Sequence, residues 1–306
     1  MKKIAFIFPG QGSQVVSMGK KFYEKYLASK KIFDQADEIL GYKISDIMFN
    51  GPEETLTKTL NSQLAIFINS VAILEAFKDL YPSIQPIVVA GLSLGEYSAL
   101  YAANKISFID AINLIKKRAA YMEEACNKTN GTMAAVLGLD VKKIKEVIKD
   151  IDDVYLANLN TPNQMVISGS KDGVNKACTL LKENGAKRAI ELKVSGAFHS
   201  SFMKEAEDKL KEDILNANFK ESDIDIVMNV TKDFPKSIEN IKINLIKQIS
   251  SSVRWYESIN KMDELVDLFI EFGSKTLSSM NKKIKVNSNS IFIDKIEDLE
   301  NLKEVL

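Results

Sequence analysis

Apolar residues along the chain fall into short runs and into longer stretches with helical spacing. The short runs predict buried strands at residues 4–8, 87–90, 224–229 and 268–272. Between them, apolar residues three and four positions apart predict helices at 62–80, 96–101, 107–126, 203–215, 241–249 and from 276, with broken helical patterns between 15 and 48. Alternating buried strands and amphipathic helices are typical of a parallel sheet covered on both faces, which binds ligands at the carboxyl ends of its strands.

The pattern changes between residues 129 and 195. Strands are predicted here at 133–139, 154–157, 165–168 and 189–194, and helices at 141–149 and 171–184. Their order, βαββαβ, is that of a ferredoxin-like unit. The sequence therefore predicts an α/β fold in two domains with a cleft between them. A large hydrolase-like domain with a mostly parallel sheet occupies 1–128 and 196–306, and a small ferredoxin-like domain is inserted at 129–195.

A glycine-bracketed serine follows the second predicted strand. The strand ends in Gly-x-Ser-x-Gly at residues 91–95, and a helical segment begins directly after it. This is the sequence form of a nucleophile elbow, in which the glycines permit a tight turn that exposes the oxygen of Ser93. The alternative is a glycine-rich turn with an incidental serine. The strand before the turn and the helix after it favour the elbow.

The chain contains a single histidine, His199. If the enzyme activates a serine with an imidazole base, that base must be His199. A lone histidine is often structural, but His199 lies at a junction between a predicted strand and a predicted helix, where the insert returns to the large domain. Both roles remain open at this point.

Arg118 lies on the apolar side of a predicted helix. The stripe of that helix is formed by Ala111, Leu114, Ile115 and Met122, and position 118 falls on it. One interpretation is an arginine that extends along the apolar surface to a surface carboxylate. The other is a receptor for a substrate carboxylate, because a buried guanidinium without a partner costs about 3 to 5 kcal/mol.

The loop after the first strand, Pro-Gly-Gln-Gly-Ser-Gln at residues 9–14, exposes backbone N–H groups around Gln11. A phosphate-binding loop is the alternative, but the glycine spacing is not G-x-G-x-x-G and no Gly-Lys-Ser/Thr follows. In the helix predicted at 62–80, Gln63 is a polar residue among apolar neighbours, which indicates a capping or site role.

Composition excludes several classes of partner. Lysine plus arginine equals aspartate plus glutamate at 41 each, so no overall field attracts nucleic acid or an anionic membrane. The longest apolar run, 64–74, is too short to cross a bilayer. Residues 1–8 resemble the start of a signal peptide, but the apolar stretch stops at Pro9 without a cleavage site, and we interpret it as a strand. We expect neither nucleic acid nor membrane as a partner.

The two cysteines, Cys126 and Cys178, lie far apart and lack metal-ligand spacing. This usage suits a reducing cytoplasm, predicts no metal site and gives neither cysteine a chemical role.

Five motifs in this order resemble a known family. They are Phe-Pro-Gly-Gln-Gly-Ser-Gln at 8–14, Gly-Leu-Ser-Leu-Gly-Glu at 91–96, Arg118, Gly-Ala-Phe-His at 196–199, and Gln248 with Val-Arg-Trp at 253–255. Together they resemble malonyl-CoA:acyl carrier protein transacylases, and the resemblance covers nearly the whole chain. Each motif alone is modest, whereas five in register with an inserted ferredoxin-like domain are specific.

The resemblance implies a role for each of these positions. Ser93 would carry the malonyl ester, and His199 would be its base and would later protonate the departing thiolate. The N–H groups of Gln11 and Leu94 would form the oxyanion hole. Arg118 would bind the malonyl carboxylate. An amide or backbone carbonyl at Gln248 would orient the imidazole.

The acyl pocket is assigned to Gln63, Leu92, Met122 and Phe198. The Phe198-His199 pair resembles the malonyl-selecting version of the motif. Leu92 departs from the family, which usually has histidine there, so Ser93 loses a polar neighbour. A basic pair, Lys187 and Arg188, is either a contact for coenzyme A phosphates or carrier protein, or a solvated surface pair.

The function implied is malonyl transfer from malonyl-CoA to acyl carrier protein for fatty acid synthesis. Coenzyme A enters as a thioester substrate, and no permanently bound cofactor is expected. Three alternatives stay open: a serine esterase or thioesterase with the same elbow, an acyltransferase of a polyketide pathway, and a non-catalytic docking module for a carrier protein. A buried Arg118 argues against hydrolysis of neutral esters.

Overall fold

A computed structural model describes residues 2–304 of the chain. Residue 1 and the last two positions of the predicted segment 196–306 lie outside the described residues. The strands in the described part are β1 (Ile4–Phe8), β2 (Val88–Gly91), β3 (Gly131–Leu137), β4 (Val154–Thr161), β5 (Gln164–Ser170), β6 (Arg188–Glu191), β7 (Asp225–Ile226), β8 (Leu268–Phe272) and β9 (Asn289–Ile293).

Helices connect most of these strands. They are α1 (Lys20–Lys25), α2 (Leu27–Leu40), α3 (Ile44–Asn50), α4 (Glu53–Thr57), α5 (Thr59–Leu80), α6 (Gly95–Ala102), α7 (Phe108–Lys128), α8 (Val141–Ile148), α9 (Lys171–Glu183), α10 (Lys204–Asn216), α11 (Ile238–Gln248), α12 (Trp255–Asp263), α13 (Thr276–Ile284) and α14 (Ile296–Glu300). Two short 3-10 segments lie at Ser201–Met203 and Asn301–Glu304.

The large sheet has five parallel strands in the order β7-β2-β1-β8-β9. Its central strands are buried on both faces, as expected for apolar runs without polar alternation. Phe6 and Phe8 pack into the core beneath α5, whereas Ala5 and Ile7 face a second core that contains Trp255 of α12. The predicted α/β class is confirmed.

Helix α5 is the central helix of the larger core. Over its 22 residues it is long and apolar enough to cross a membrane, which the apolar run at 64–74 alone is not. However, 83% of its most apolar window is buried inside the protein. Neighbouring helices α2 and α7 pack against it. Its apolar character therefore serves the core of a globular protein.

The small sheet has four antiparallel strands in the order β4-β5-β3-β6. This is the strand order of a ferredoxin-like unit, with α8 and α9 in the predicted connections. All of its strands fall between the predicted boundaries at 129 and 195. We propose the division of the chain at those boundaries, with the large domain formed by the two flanking segments.

Several predicted bounds are wrong. Strand β4 continues beyond 157 to Thr161, because register shifts at a bulge interrupt the alternation by which a strand is recognised. The strand expected at 224–229 is only Asp225–Ile226, because the chain then turns and Met228 bridges to Asp233. Helix α12 and strand β9 were not predicted.

The parallel sheet brings two predicted loops together. Phe8, the last residue of β1, pairs with Gly91, the last residue of β2. The carboxyl ends of adjacent parallel strands lie at the same edge. Consequently the loop at 9–14 lies beside the turn that carries Ser93.

Candidate active site

A tight turn between β2 and α6 presents Ser93. Its backbone has a φ of 53°, a left-handed conformation that a serine adopts only where the surroundings enforce it. A Cβ at Gly91 would lie 1.9 Å from the backbone carbon of Gly95, and a Cβ at Gly95 would lie 2.2 Å from the carbonyl oxygen of Phe8. Both positions therefore require glycine, and the turn has the predicted elbow geometry.

His199 lies within hydrogen-bonding distance of Ser93. The Oγ of Ser93 and the Nε2 of His199 are 2.9 Å apart, and the Nδ1 of His199 is 2.9 Å from the backbone carbonyl oxygen of Gln248. A carbonyl only accepts, so Nδ1 carries the proton and Nε2 is free to accept the proton of the serine hydroxyl. Of the two orienting groups considered for position 248, the backbone carbonyl is the one that contacts the imidazole.

The imidazole is held in its neutral form. Burial and, secondly, the positive charge of Arg118 lower the pKa of His199 from 6.5 to about 4, against the opposing effect of the Gln248 carbonyl. At neutral pH the ring is therefore a proton acceptor.

Arg118 is buried, as its place on the apolar stripe predicts, with 1% of its surface exposed. Its Nη1 donates to the Oε1 of Gln63 at 2.6 Å. Its Nη2 donates to the Oγ of Ser93 at 3.0 Å and to the Oε1 of Gln248 at 3.1 Å, while among residues 2–304 its Nε has no partner. The guanidinium thus contacts neutral oxygens only, and one of them is the oxygen of the candidate nucleophile.

Two backbone N–H groups lie beside Ser93. Gln11 follows β1 and Leu94 precedes the first residue of α6, and both line the same cavity as Ser93. In residues 2–304 neither N–H donates an intramolecular hydrogen bond. The loop is held instead by a bond from Ser13 Oγ to the Gly10 carbonyl at 2.9 Å. The two N–H groups therefore remain available to a bound oxygen.

The cavity in front of Ser93 has a volume of about 400 Å³ and lies between the large and small sheets. Leu92, Met122 and Phe198, three of the four residues proposed for the acyl pocket, line this cavity. Gln63 does not line it, because its amide lies behind Arg118, with Nε2 at 3.6 Å from the Sδ of Met122. Leu92 packs against the second core, which includes Trp255 and Met280, so an apolar residue suits this position.

The sequence interpretation missed two buried polar residues behind the elbow, Glu96 and Asn229. The side chain of Asn229 accepts the Ser93 N–H at 2.7 Å and donates to the Gly91 carbonyl at 2.7 Å. Glu96 accepts from the backbone N–H of Asn229 and from the Nε2 of Gln248, both at 2.5 Å. A polar residue at the carboxyl end of a parallel strand was the available signal for Asn229. An acidic residue in the first turn of a helix is favoured by the helix dipole alone, so the position of Glu96 gave no signal of a further role.

Burial raises the pKa of the Glu96 carboxyl to about 8, against the lowering effect of the bonds from Asn229 and Gln248 and the charge of Arg118. Glu96 is thus connected to the guanidinium through the amide of Gln248.

The other predicted positions lie outside this cluster. Lys187 and Arg188 are exposed and do not line the cavity. Both cysteines are free and buried, and burial raises the pKa of Cys126 to about 11. Over the described range, no group of three or more histidine, cysteine, aspartate or glutamate side chains is arranged to hold a metal ion.

Comparison with known proteins identifies a family and similar proteins of that family. The family model described as the acyl transferase domain matches residues 5–288. A malonyl CoA-acyl carrier protein transacylase of Bacillus subtilis (strain 168) is 47% identical over 306 residues, which cover 98% of this chain and 96% of that protein.

Two solved structures are similar throughout. An acyl-carrier-protein-S-malonyltransferase from Bartonella henselae has a TM-score of 0.95 at 35% identity, covering 99% of both chains. A type II PKS acyl-carrier protein in complex with its malonyl-transacylase includes a similar chain, with a TM-score of 0.94 at 33% identity, covering 99% of this chain and 100% of that one.

Proposed function

The chain belongs to the acyl transferase domain family, and on that premise we propose that it transfers a malonyl group from malonyl-CoA to acyl carrier protein through an ester on Ser93. One observation carries the malonyl assignment. The buried guanidinium of Arg118, which contacts no carboxylate of the described residues, lies 3.0 Å from the Ser93 oxygen. Malonyl has a carboxylate one methylene away from its reacting carbonyl, so its charge would reach Arg118 when the carbonyl reaches Ser93.

In the first half-reaction the Ser93 hydroxyl attacks the thioester carbonyl. Its proton passes to the Nε2 of His199, which lies 2.9 Å away. The carbonyl oxygen becomes an oxyanion, which the N–H groups of Gln11 and Leu94 bind; removing one such donor costs about 10² to 10³ in rate. The carbon–sulfur bond then breaks, and the imidazolium returns its proton to the departing coenzyme A thiolate.

In the second half-reaction the phosphopantetheine thiol of the carrier protein replaces coenzyme A. His199 accepts the thiol proton as sulfur attacks the Ser93 ester, and it returns that proton to the serine oxygen when the ester breaks. The same serine and the same imidazole therefore act in both half-reactions. The Gln248 carbonyl at 2.9 Å from Nδ1 keeps the ring in the required tautomer.

A bound carboxylate also changes the base. The charge of Arg118 contributes to the low pKa of His199. An acyl group whose carboxylate pairs with the guanidinium would offset that charge and raise the pKa of the imidazole. A neutral acyl group offers no such compensation, which supports a transferase for malonyl over an esterase for neutral acids.

The relatives support the partners. The similar proteins are named for malonyl transfer to acyl carrier protein, and one solved structure pairs a similar chain with such a carrier. We propose that this chain likewise uses a coenzyme A thioester as its substrate and needs no permanently bound cofactor. We further propose that it serves fatty acid synthesis in the cytoplasm. A polyketide pathway is the second candidate, favoured by that carrier complex.

Transfer can be separated from hydrolysis in one assay. The protein is mixed with labelled malonyl-CoA, with and without carrier protein that bears its phosphopantetheine arm. We expect label on the carrier thiol to exceed free malonate. Release of free malonate faster than carrier loading would instead establish a thioesterase. Carrier without the arm is the matched control, and it should remain unlabelled.

A further inference from the structure

Glu96 is a fully buried carboxylate that the proposed reaction does not use. It lies in the first turn of α6, three residues after the candidate nucleophile, and has no exposed surface. One of its oxygens accepts the backbone N–H of Asn229 and the other accepts the Nε2 of Gln248. Both bonds are short, at 2.5 Å, and since a backbone N–H and an amide NH₂ group only donate, both oxygens of Glu96 act as acceptors.

Both of these partners also hold the backbone of Ser93. Asn229 accepts the Ser93 N–H through its side chain at 2.7 Å, and Gln248 donates to the Ser93 carbonyl at 2.9 Å. Because Ser93 has an unfavourable positive φ, its peptide groups need fixed partners on both sides. Glu96 anchors the residues that provide them.

Glu96 also sets the orientation of the Gln248 amide. The Nε2 of that amide points to Glu96 and to the Ser93 carbonyl, so its Oε1 must point the other way, to Arg118 at 3.1 Å. If the amide were reversed, an NH₂ group would face the guanidinium and an oxygen would face Glu96. Both contacts would be repulsive.

Only an acceptor-only side chain satisfies this arrangement. A carboxylate presents two accepting oxygens to the two N–H donors, whereas a glutamine amide presents one oxygen and one NH₂ group. In Glu96→Gln, the new NH₂ group must face one of the two donors. If it faces the Asn229 N–H, that N–H loses its acceptor; if it faces Gln248, two NH₂ groups oppose each other unless Gln248 reverses. A reversed Gln248 removes a hydrogen-bond acceptor from Arg118.

We propose that Glu96 is a positioning residue, which fixes Asn229 and Gln248 and through them aligns Ser93 and holds Arg118 for acyl groups that carry a carboxylate. The inference rests on the proposed function. Acting through Ser93, Glu96 affects the acylation rate with every acyl group. Acting through Gln248 and Arg118, it affects the preference for malonyl over acetyl, which a purely structural residue would leave unchanged.

The test is the ratio of single-turnover acylation rates with malonyl-CoA and acetyl-CoA. Assays are run at least one pH unit above the pKa of the Glu96 carboxyl, which burial raises to about 8, so that the carboxylate predominates. We expect Glu96→Gln to lower the ratio about 10- to 100-fold, the rate equivalent of one hydrogen bond to a charged group. In an Arg118→Ala background the same substitution should leave the ratio unchanged. The inference would be overturned if Glu96→Gln left the ratio unchanged in the otherwise unsubstituted protein, or if it lowered the ratio equally in that protein and in the Arg118→Ala background.

Glu271 provides a matched control. It is another buried glutamate, and its carboxylate accepts the backbone N–H groups of Leu277 and Ser278 at the start of α13. We expect Glu271→Gln to lower stability and to leave the malonyl-to-acetyl ratio unchanged. A fall in the ratio equal to that of Glu96→Gln would mean that losing any buried carboxylate alters selectivity, and would refute the specific role of Glu96.

A second variant keeps the inference testable if Glu96→Gln does not fold. Gln248→Leu removes the amide but keeps the backbone carbonyl that orients His199. The ratio should fall here also, and an unchanged ratio would overturn the inference. Failure of the proposed function is distinguishable, because the unsubstituted protein would then either form no malonyl ester or release the malonyl group as free malonate faster than it loads the carrier.

Discussion

The low pKa of His199 predicts a specific dependence of stability on pH. Folding lowers the pKa of this imidazole from 6.5 to about 4, mainly through burial. Between these values the unfolded chain binds the proton more tightly than the folded protein, so the free energy of unfolding falls as the pH is lowered. The contribution of the neutral His199 side chain to the free energy of unfolding is fully present above pH 6.5 and is lost as the pH falls to about 4.

The magnitude follows from the shift. At 1.36 kcal/mol per pKa unit, the fall to about 4 corresponds to on the order of 3 kcal/mol. His199→Asn removes the titrating group, and asparagine tolerates the positive φ of 56° at this position. The difference between the two proteins isolates this one group, because the other titrating groups are common to both.

Two assays report on the same quantity. Urea unfolding of both proteins at pH values from 7 to 4 should show the unsubstituted protein losing on the order of 3 kcal/mol relative to His199→Asn. Because the chain has one histidine, its ring signals in an NMR titration give the pKa directly. A ring that titrates near 6.5, or a free-energy difference that is flat across this range, would refute the buried neutral imidazole.

Two substitutions test the neighbouring parts of the site. Arg118→Ala should reduce the rate of malonyl acylation by about 100-fold, which is equivalent to about 3 kcal/mol for a lost charged contact. The rate of acetyl acylation should rise relative to that of malonyl acylation. Equal losses for the two acyl groups would contradict the carboxylate-binding role. Gly91→Ala should abolish Ser93 acylation and lower the melting temperature, because its Cβ would lie 1.9 Å from Gly95. Gly41→Ala is the control, because a Cβ at position 41 meets nothing within 4 Å and costs only backbone strain of about 1 kcal/mol. Equal losses of stability and of Ser93 acylation in the two variants would show that the elbow does not require glycine at position 91.

The elements that the sequence predicts best are those with one dominant signal. Strands β1 and β8 have the predicted bounds because β1 is wholly apolar, β8 is apolar except for Glu271, and Pro9 and Gly273 follow them directly. Arg118 was correctly expected to be buried, because its position on the stripe of α7 follows from helical periodicity alone. By contrast, α12 has apolar residues at 255, 259 and 262, a helical spacing that was overlooked beside the motif at its start.

The site was only partly predictable. The positions of Ser93 and His199 follow from motifs, but the contact between them joins residues 106 positions apart. Asn229 and Glu96 are in contact although they lie 133 positions apart, and no local sequence pattern at either residue predicts this contact. Such contacts depend on how the sheet aligns the ends of distant strands, which local spacing does not encode. Gln63 was placed in the pocket for its polarity, whereas it lies behind Arg118, which lines the cavity and donates to it.

The central claim is that Ser93 carries the acyl group, and the intact mass of the protein after mixing with malonyl-CoA tests it most directly. We expect a single malonyl adduct that maps to the peptide containing Ser93, and none on Ser93→Ala. His199→Asn should form the adduct at least 100-fold more slowly, because general-base assistance contributes about 10² to 10⁴ in rate. No adduct on the unsubstituted protein, or an adduct that persists on Ser93→Ala, would contradict the account.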